Sequence, residues 1–117
     1  MTINKELFRG CSKTIVLQLL AKKSMHGYEL SSQLKELSDG KLELTEGSLY
    51  PLLHSLEADG NIKASWQVSG GSRKKKVYKL TENGKKTLKV KRKEWKDFLS
   101  TMKLLSPAKM EVQHANS

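Results

Sequence analysis

Between Lys5 and Lys22 apolar side chains return every fourth residue, at Leu7, Cys11, Ile15 and Leu19. Val16 and Leu20 widen the stripe, and the spacing predicts an amphipathic helix. Ser24-Met25-His26-Gly27 interrupts it. A second helix is predicted from about Gly27 to Ser38, with Leu30, Leu34 and Leu37 on one face and Asp39-Gly40 as its stop. A third is predicted over Thr45 to Asp59, because Thr45 suits an N-cap and Glu46 a first turn. Its Leu49, Leu52, Leu53 and Leu56 fall within an arc of about 100°. The opposite arc carries Gly47, Tyr50, Pro51, His54 and Ala58. Pro51 has no N–H for the Gly47 carbonyl, which predicts an irregular or slightly bent first turn. Gly60 ends the helix.

From Ile62 to Val68 the period changes from 3.6 to 2, the mark of a half-buried strand, and places Trp66 in the core. Ser69 to Ser72 reads as a flexible turn and Arg73 to Lys76 as a basic tip. A second short strand, Val77 to Leu80, returns with Tyr78 and Leu80 on the buried side. Thr81-Glu82 then caps a long final helix. In it Leu88, Lys91, Trp95, Phe98, Met102 and Leu105 occupy the a and d positions of a heptad. No other segment remains to cover this stripe, so it calls for a partner helix, most simply its own copy in a homodimer. Lys91 either snorkels out of that seam or attracts an anionic ligand. Pro107 stops the helix, and residues 108–117 read as a frayed tail.

Composition narrows the class. In 117 residues, 37% hydrophobic and 6% aromatic content implies one domain with a small core. No stretch approaches a membrane span, and the opening residues predict no secretory leader. A lone cysteine, Cys11, fits the reducing cytoplasm and reads as a small apolar residue. The net charge of +10 is unevenly placed. Residues 1–60 hold 7 Lys/Arg against 8 Asp/Glu, whereas residues 61–117 hold 15 against 4. That asymmetry points to a polyanionic partner. Enzymatic and metal chemistry find no foothold: His26, His54, His114 and Cys11 form no metal-ligand spacing. Gly70-Gly71 lies in a hairpin tip, not between a strand and a helix, so it is no phosphate cradle. No cofactor is expected.

Three helices, a hairpin with a basic tip and a long helix give a mainly α member of the α+β class. The expected fold is a winged helix-turn-helix with a long C-terminal dimerisation helix. In such a fold the third helix buries its leucines and turns Tyr50 and His54 toward bases or phosphates. Small Gly47 and Ser48 allow close approach, and Arg73, Lys74, Lys75 and Lys76 flank the backbone or minor groove. Tyr28, at the start of the second helix, reads equally as a phosphate contact or a core residue.

The run Met25-His26-Gly27-Tyr28-Glu29-Leu30, followed by Glu46-Gly47-Ser48-Leu49-Tyr50-Pro51-Leu52-Leu53-His54-Ser55-Leu56-Glu57-Ala58-Asp59-Gly60, resembles the PadR family of transcriptional regulators. Gly70 to Gly84 is similar to that family's wing and its entry into the last helix. The resemblance spans roughly residues 5–105 and includes Pro51. It implies a dimeric winged-helix repressor acting on double-stranded DNA at a partly palindromic operator. It also implies a small aromatic or drug-like effector bound at the dimer interface, where Trp95 sits at the family's aromatic position. The expected division is residues 1–80 as the DNA-binding domain, 81–106 as the dimerisation helix and 107–117 as a flexible tail. Two other readings stay open on sequence grounds. One is a nonspecific architectural or RNA-binding winged helix, which would bind without discrimination. The other is a protein-interaction adaptor, which would be indifferent to the loss of charge at Arg73 to Lys76.

Overall fold

The computed structural model describes residues 4–68 and 73–106. Helix α1 spans Lys5–Lys22, strand β1 Met25–His26, helix α2 Gly27–Leu37 and helix α3 Glu46–Ala58. Strands β2 and β3 follow at Ile62–Val68 and Lys74–Leu80, and α4 runs over Glu82–Leu105. Local chemistry sets the helix starts. Asn4 accepts from the Glu6 and Leu7 amides, Thr45 from Ser48 and Thr81 from Gly84. His26 and Glu29 close a reciprocal capping box at the head of α2, each side chain accepting the other's amide at 3.3 Å.

The sheet has the order β1-β3-β2, antiparallel throughout. Two features of it depart from the sequence reading. Strand β1 leaves no mark in the sequence pattern, because two residues carry no periodicity; it exists because Met25 and His26 pair with Tyr78 and Val77. The returning strand is also longer than expected, since Lys74, Lys75 and Lys76 pair with Val68, Gln67 and Trp66. Lys74 to Lys76 are therefore ladder and not tip, with Arg73 just outside the strand. Lysine is a weak strand former, but the hydrogen-bonding partner across the hairpin prevails over propensity. The turn at Ser69–Ser72, with Gly70 and Gly71, lies outside the described residues, as do His114 and the tail at 107–117.

One core joins all the helices to the hairpin base, with Val16, Leu17, Leu20, Met25, Leu30, Leu49, Leu53, Leu56 and Ile62 nearly inaccessible. Tyr78 and Leu80 lie on the buried face as expected. Trp66 does not: it is 65% exposed, as is Val68. Alternation correctly assigns a face of β2, but the hairpin outruns the helices beneath it, so only Ile62 and Ala64 on that face are covered. Leu37 is likewise exposed, because it stands in the last turn of α2, beyond the packed Leu30 and Leu34. Helix α3 continues through Pro51 without interruption. The Thr45 carbonyl accepts from both Ser48 and Leu49 amides, at 3.1 and 2.8 Å, which secures the turn before the proline.

The joint between α3 and α4 is dense. Gly60, at φ +76°, turns the chain out of α3 in the left-handed region. The Thr81 hydroxyl donates to the Gly60 carbonyl at 2.6 Å and accepts from the Gly84 amide at 2.9 Å. Buried Asn61 accepts on its side-chain oxygen from Asn83 (3.1 Å) and Thr87 (2.8 Å). Its carbonyl accepts from the Thr81 amide at 3.1 Å. Buried Gly84 passes so close to that carbonyl that a Cβ there would overlap it. Among the described residues no helix is long and apolar enough to cross a membrane.

Candidate nucleic-acid interface

The outward face of α3 is built by the burial of the inward one. Leu49, Leu53 and Leu56 are each about 1% exposed, with Leu52 half-buried. Geometry then leaves Gly47, Ser48, Pro51 and His54 in solvent. At Gly47 an added side chain would meet nothing nearer than Thr45 Oγ1 at 3.9 Å, so the glycine leaves an open approach and is not demanded by packing. Ser48 sits in the first turn, its amide and hydroxyl both bonded to Thr45, at 3.3 and 3.2 Å.

Tyr50 belongs to both faces. It is 43% exposed, yet a Cβ on Gly27 would lie 3.2 Å from its hydroxyl and 3.5 Å from the adjoining ring carbon. The phenol end thus rests on the head of α2. Tyr50 also lies near Tyr78. Burial first, then the negative charge of Glu57 and the neighbouring Tyr50, push the Tyr78 phenol above its ordinary pKa. Tyr28 is 79% exposed, so of its two sequence readings the core placement fails. Its ring stacks at 6.5 Å on His26, beside the capping box.

The hairpin supplies the charge. Strands β2 and β3 carry Lys63, Lys74, Lys75, Lys76 and Lys79 and no acid, and Arg73 stands exposed just before β3. Direct pairing puts Val68 with Lys74 and Trp66 with Lys76 on one face, and Gln67 with Lys75 on the other. The Lys76 ammonium stands 5.7 Å from the Tyr78 ring centroid, a cation-π approach that fixes it at the junction of hairpin and body. The hairpin that follows α3 is therefore a basic ribbon, with Lys74 and Lys76 on one face and Lys63, Lys75 and Lys79 on the other.

The long helix divides into two regimes. Leu88 is spent in the chain's own core, and Trp95 is half-buried, which corrects the expectation that nothing else covers the α4 stripe. The cover is α1: Leu7, Cys11, Ile15 and Gln18 line with Trp95 a cavity of about 250 Å³. The Arg92 guanidinium donates to Gln18 across the same pair of helices at 2.9 Å. Periodicity shows that a stripe exists but not how far a neighbouring helix runs beneath it. Lys91 stands half-buried and pairs with Glu94 at 3.7 Å. Beyond Trp95, Phe98 (52%), Met102 and Leu105 (76%) stand exposed, and Phe98 meets the Trp95 ring edge-on at 6.0 Å. Among the described residues no group of three or more acidic, His or Cys side chains could hold a metal. The Cys11 thiol is pushed up by burial, away from thiolate reactivity.

The sequence model described as Transcriptional regulator PadR-like family matches residues 16–90, from mid-α1 into α4. The transcriptional regulator Rv3488 of Mycobacterium tuberculosis is 34% identical over 84 residues, covering 72% of this chain and 75% of that one. The negative transcriptional regulator PadR of Bacillus subtilis is 33% identical over 76 residues, 65% of this chain and 42% of that longer protein. Among solved structures, a transcriptional regulator from Clostridium thermocellum superposes with a TM-score of 0.80 at 27% identity, covering 88% of this chain and all of that one. These relatives are transcriptional regulators and not enzymes. With a winged helix-turn-helix, an outward-facing α3 and a family match over most of its length, the chain belongs to the PadR-like family of transcriptional regulators.

Proposed function

We propose that the protein is a cytoplasmic DNA-binding repressor that acts as a homodimer on a partly palindromic operator. The observation that carries this reading is a third helix that buries its leucines and leaves Gly47, Ser48, Pro51 and His54 in solvent, followed by two strands that hold five lysines and no acid. The assigned roles are these. Residues 1–80 engage double-stranded DNA: Gly47, Ser48 and Pro51 approach closely, Tyr50 and His54 read bases, and Tyr28 meets a phosphate. Arg73, Lys74, Lys75 and Lys76 neutralise phosphates. Residues 81–106 join two copies through the exposed part of α4, where Phe98, Met102 and Leu105 would be covered. Leu88 serves that helix by anchoring it to the body. A small aromatic effector would stack on Trp95 at the seam, with Lys91 at its rim. The negative regulator from Bacillus subtilis lends the repressor reading its support.

A footprint on the DNA upstream of the coding sequence, repeated with a panel of aromatic compounds, tests the whole scheme. Two protected half-sites about one helical turn, roughly 34 Å, apart are expected. Uniform protection with no preferred site would instead favour a nonspecific architectural role. A monomer by light scattering at micromolar concentration would dismiss the seam and the effector site together.

Two substitutions separate readout from charge. His54→Ala should leave the melting temperature unchanged and cost about 1–3 kcal/mol of operator discrimination. Tyr50→Ala should lose discrimination and some stability as well, because its phenol packs on Gly27. Equal specific-to-nonspecific affinity ratios in parent and both variants would exclude the readout role. Lys74→Ala combined with Lys75→Ala should weaken binding to all duplexes alike and flatten the slope of log K against log salt by roughly 1.8. Anisotropy titrations at three salt concentrations measure this, and a loss confined to one operator sequence would contradict a backbone role.

A further inference from the structure

Trp66 is the largest side chain that the protein leaves open without an evident reason. Its face of the hairpin begins buried, at Ile62 and Leu80, and stays covered at Tyr78. One pair further out, that face emerges into solvent as Trp66 opposite Lys76, then Val68 opposite Lys74. Two apolar side chains, each 65% exposed, are thus framed by two ammonium groups and no carboxylate of either strand. Exposed indole is unfavourable in water, and the frame excludes a cationic or purely apolar partner. An extended polyanion with apolar edges between its charges fits, and duplex DNA offers this in the deoxyribose walls of the minor groove. The face joins the body at Tyr78, whose ring the Lys76 ammonium approaches at 5.7 Å.

We propose that Trp66 is a DNA-contact residue of the wing, its indole packed against deoxyribose while Lys74 and Lys76 engage the flanking phosphates. The inference rests on the DNA-binding reading above and adds to it an uncharged anchor. Such an anchor strengthens binding without releasing counterions, so it leaves a signature that the lysines cannot.

The test uses the full chain and a fluorescein-labelled 30-base-pair duplex of mixed sequence at low salt. Trp66→Ala is expected to weaken binding about tenfold with the melting temperature unchanged, and Trp66→Phe to recover most of the loss. The salt slope should match the parent's, because no charge has been removed. The acrylamide-quenchable emission that the parent has and Trp66→Phe lacks should become shielded as duplex is added. Parent-like affinity in Trp66→Ala, or emission still fully quenchable in the saturated complex, would overturn the proposal and leave DNA binding intact. A change in that emission on dilution without DNA would assign the face to a second copy and also overturn it. Failure of the parent itself to bind duplex at low salt would remove the DNA-binding reading and this inference together.

Discussion

Gly84→Ala should lower the melting temperature by roughly 10 °C, although the same exchange inside an ordinary helix is stabilising. Alanine normally gains about 1 kcal/mol over glycine in a helix interior. Here the new methyl group would overlap the Asn61 carbonyl oxygen and lie 2.8 Å from Leu80 Cδ1. Neither neighbour yields readily. The Asn61 carbonyl is backbone, held by the Thr81 amide, and Leu80 is in the core. Overpacking of this kind costs about 1–3 kcal/mol and sometimes more. Because backbone and not a side-chain tip must move, a net loss near the upper end, about 2 kcal/mol, is expected. On a domain of this size each kcal/mol shifts the midpoint by about 4–8 °C. Thermal denaturation followed by circular dichroism, at matched protein concentration, measures the change. A midpoint equal to or above the parent's would mean that the start of α4 slides off Asn61 freely.

Leu53→Ala is expected to cost more, about 2–5 kcal/mol. Leu53 is 1% exposed in the middle of α3 and is held among core leucines that other elements fix in place. Truncation removes its burial and leaves a cavity that the rigid surroundings fill only in part. Leu52→Ala, at a half-buried position one residue earlier, should cost clearly less. Urea denaturation of the two variants checks both magnitude and order. Equal losses, or a Leu53→Ala loss under 1 kcal/mol, would show that α3 is not seated as described.

Much of this fold is legible in the residues themselves. Two helix starts are written in Thr45 and Thr81, and the leucine arc of α3 determines which side faces out. Ile62 and Tyr78 likewise declare the inner face of the hairpin. The failures share a physical cause: periodicity reports direction but not extent. Alternation gave Trp66 the correct face and the wrong environment, because nothing local states where the body beneath β2 stops. The heptad stripe of α4 has the same character, covered at Leu88 and open at Phe98. Pairing is equally nonlocal. Lys74 to Lys76 became strand, and Met25 with His26 became a third one, only because another segment lay beside them. Within the candidate site, the outward set around His54 followed from the pattern. The double duty of Tyr50 did not, because Gly27 lies on a different helix.

The joint at Asn61, Thr81 and Gly84 has a mechanical meaning. Four side chains and the close approach of Gly84 to the Asn61 carbonyl tie the end of α3 to the start of α4, which resists independent pivoting of the two helices. A helix of 24 residues is a lever about 36 Å long. In an assembly closed through its far end, a tilt of about 5° there would displace the welded end by about 3 Å, close to the 3.4 Å rise of one base step. The stiffness of this short joint, more than any contact at the far end, would determine whether so small a tilt arrives at α3 undiminished.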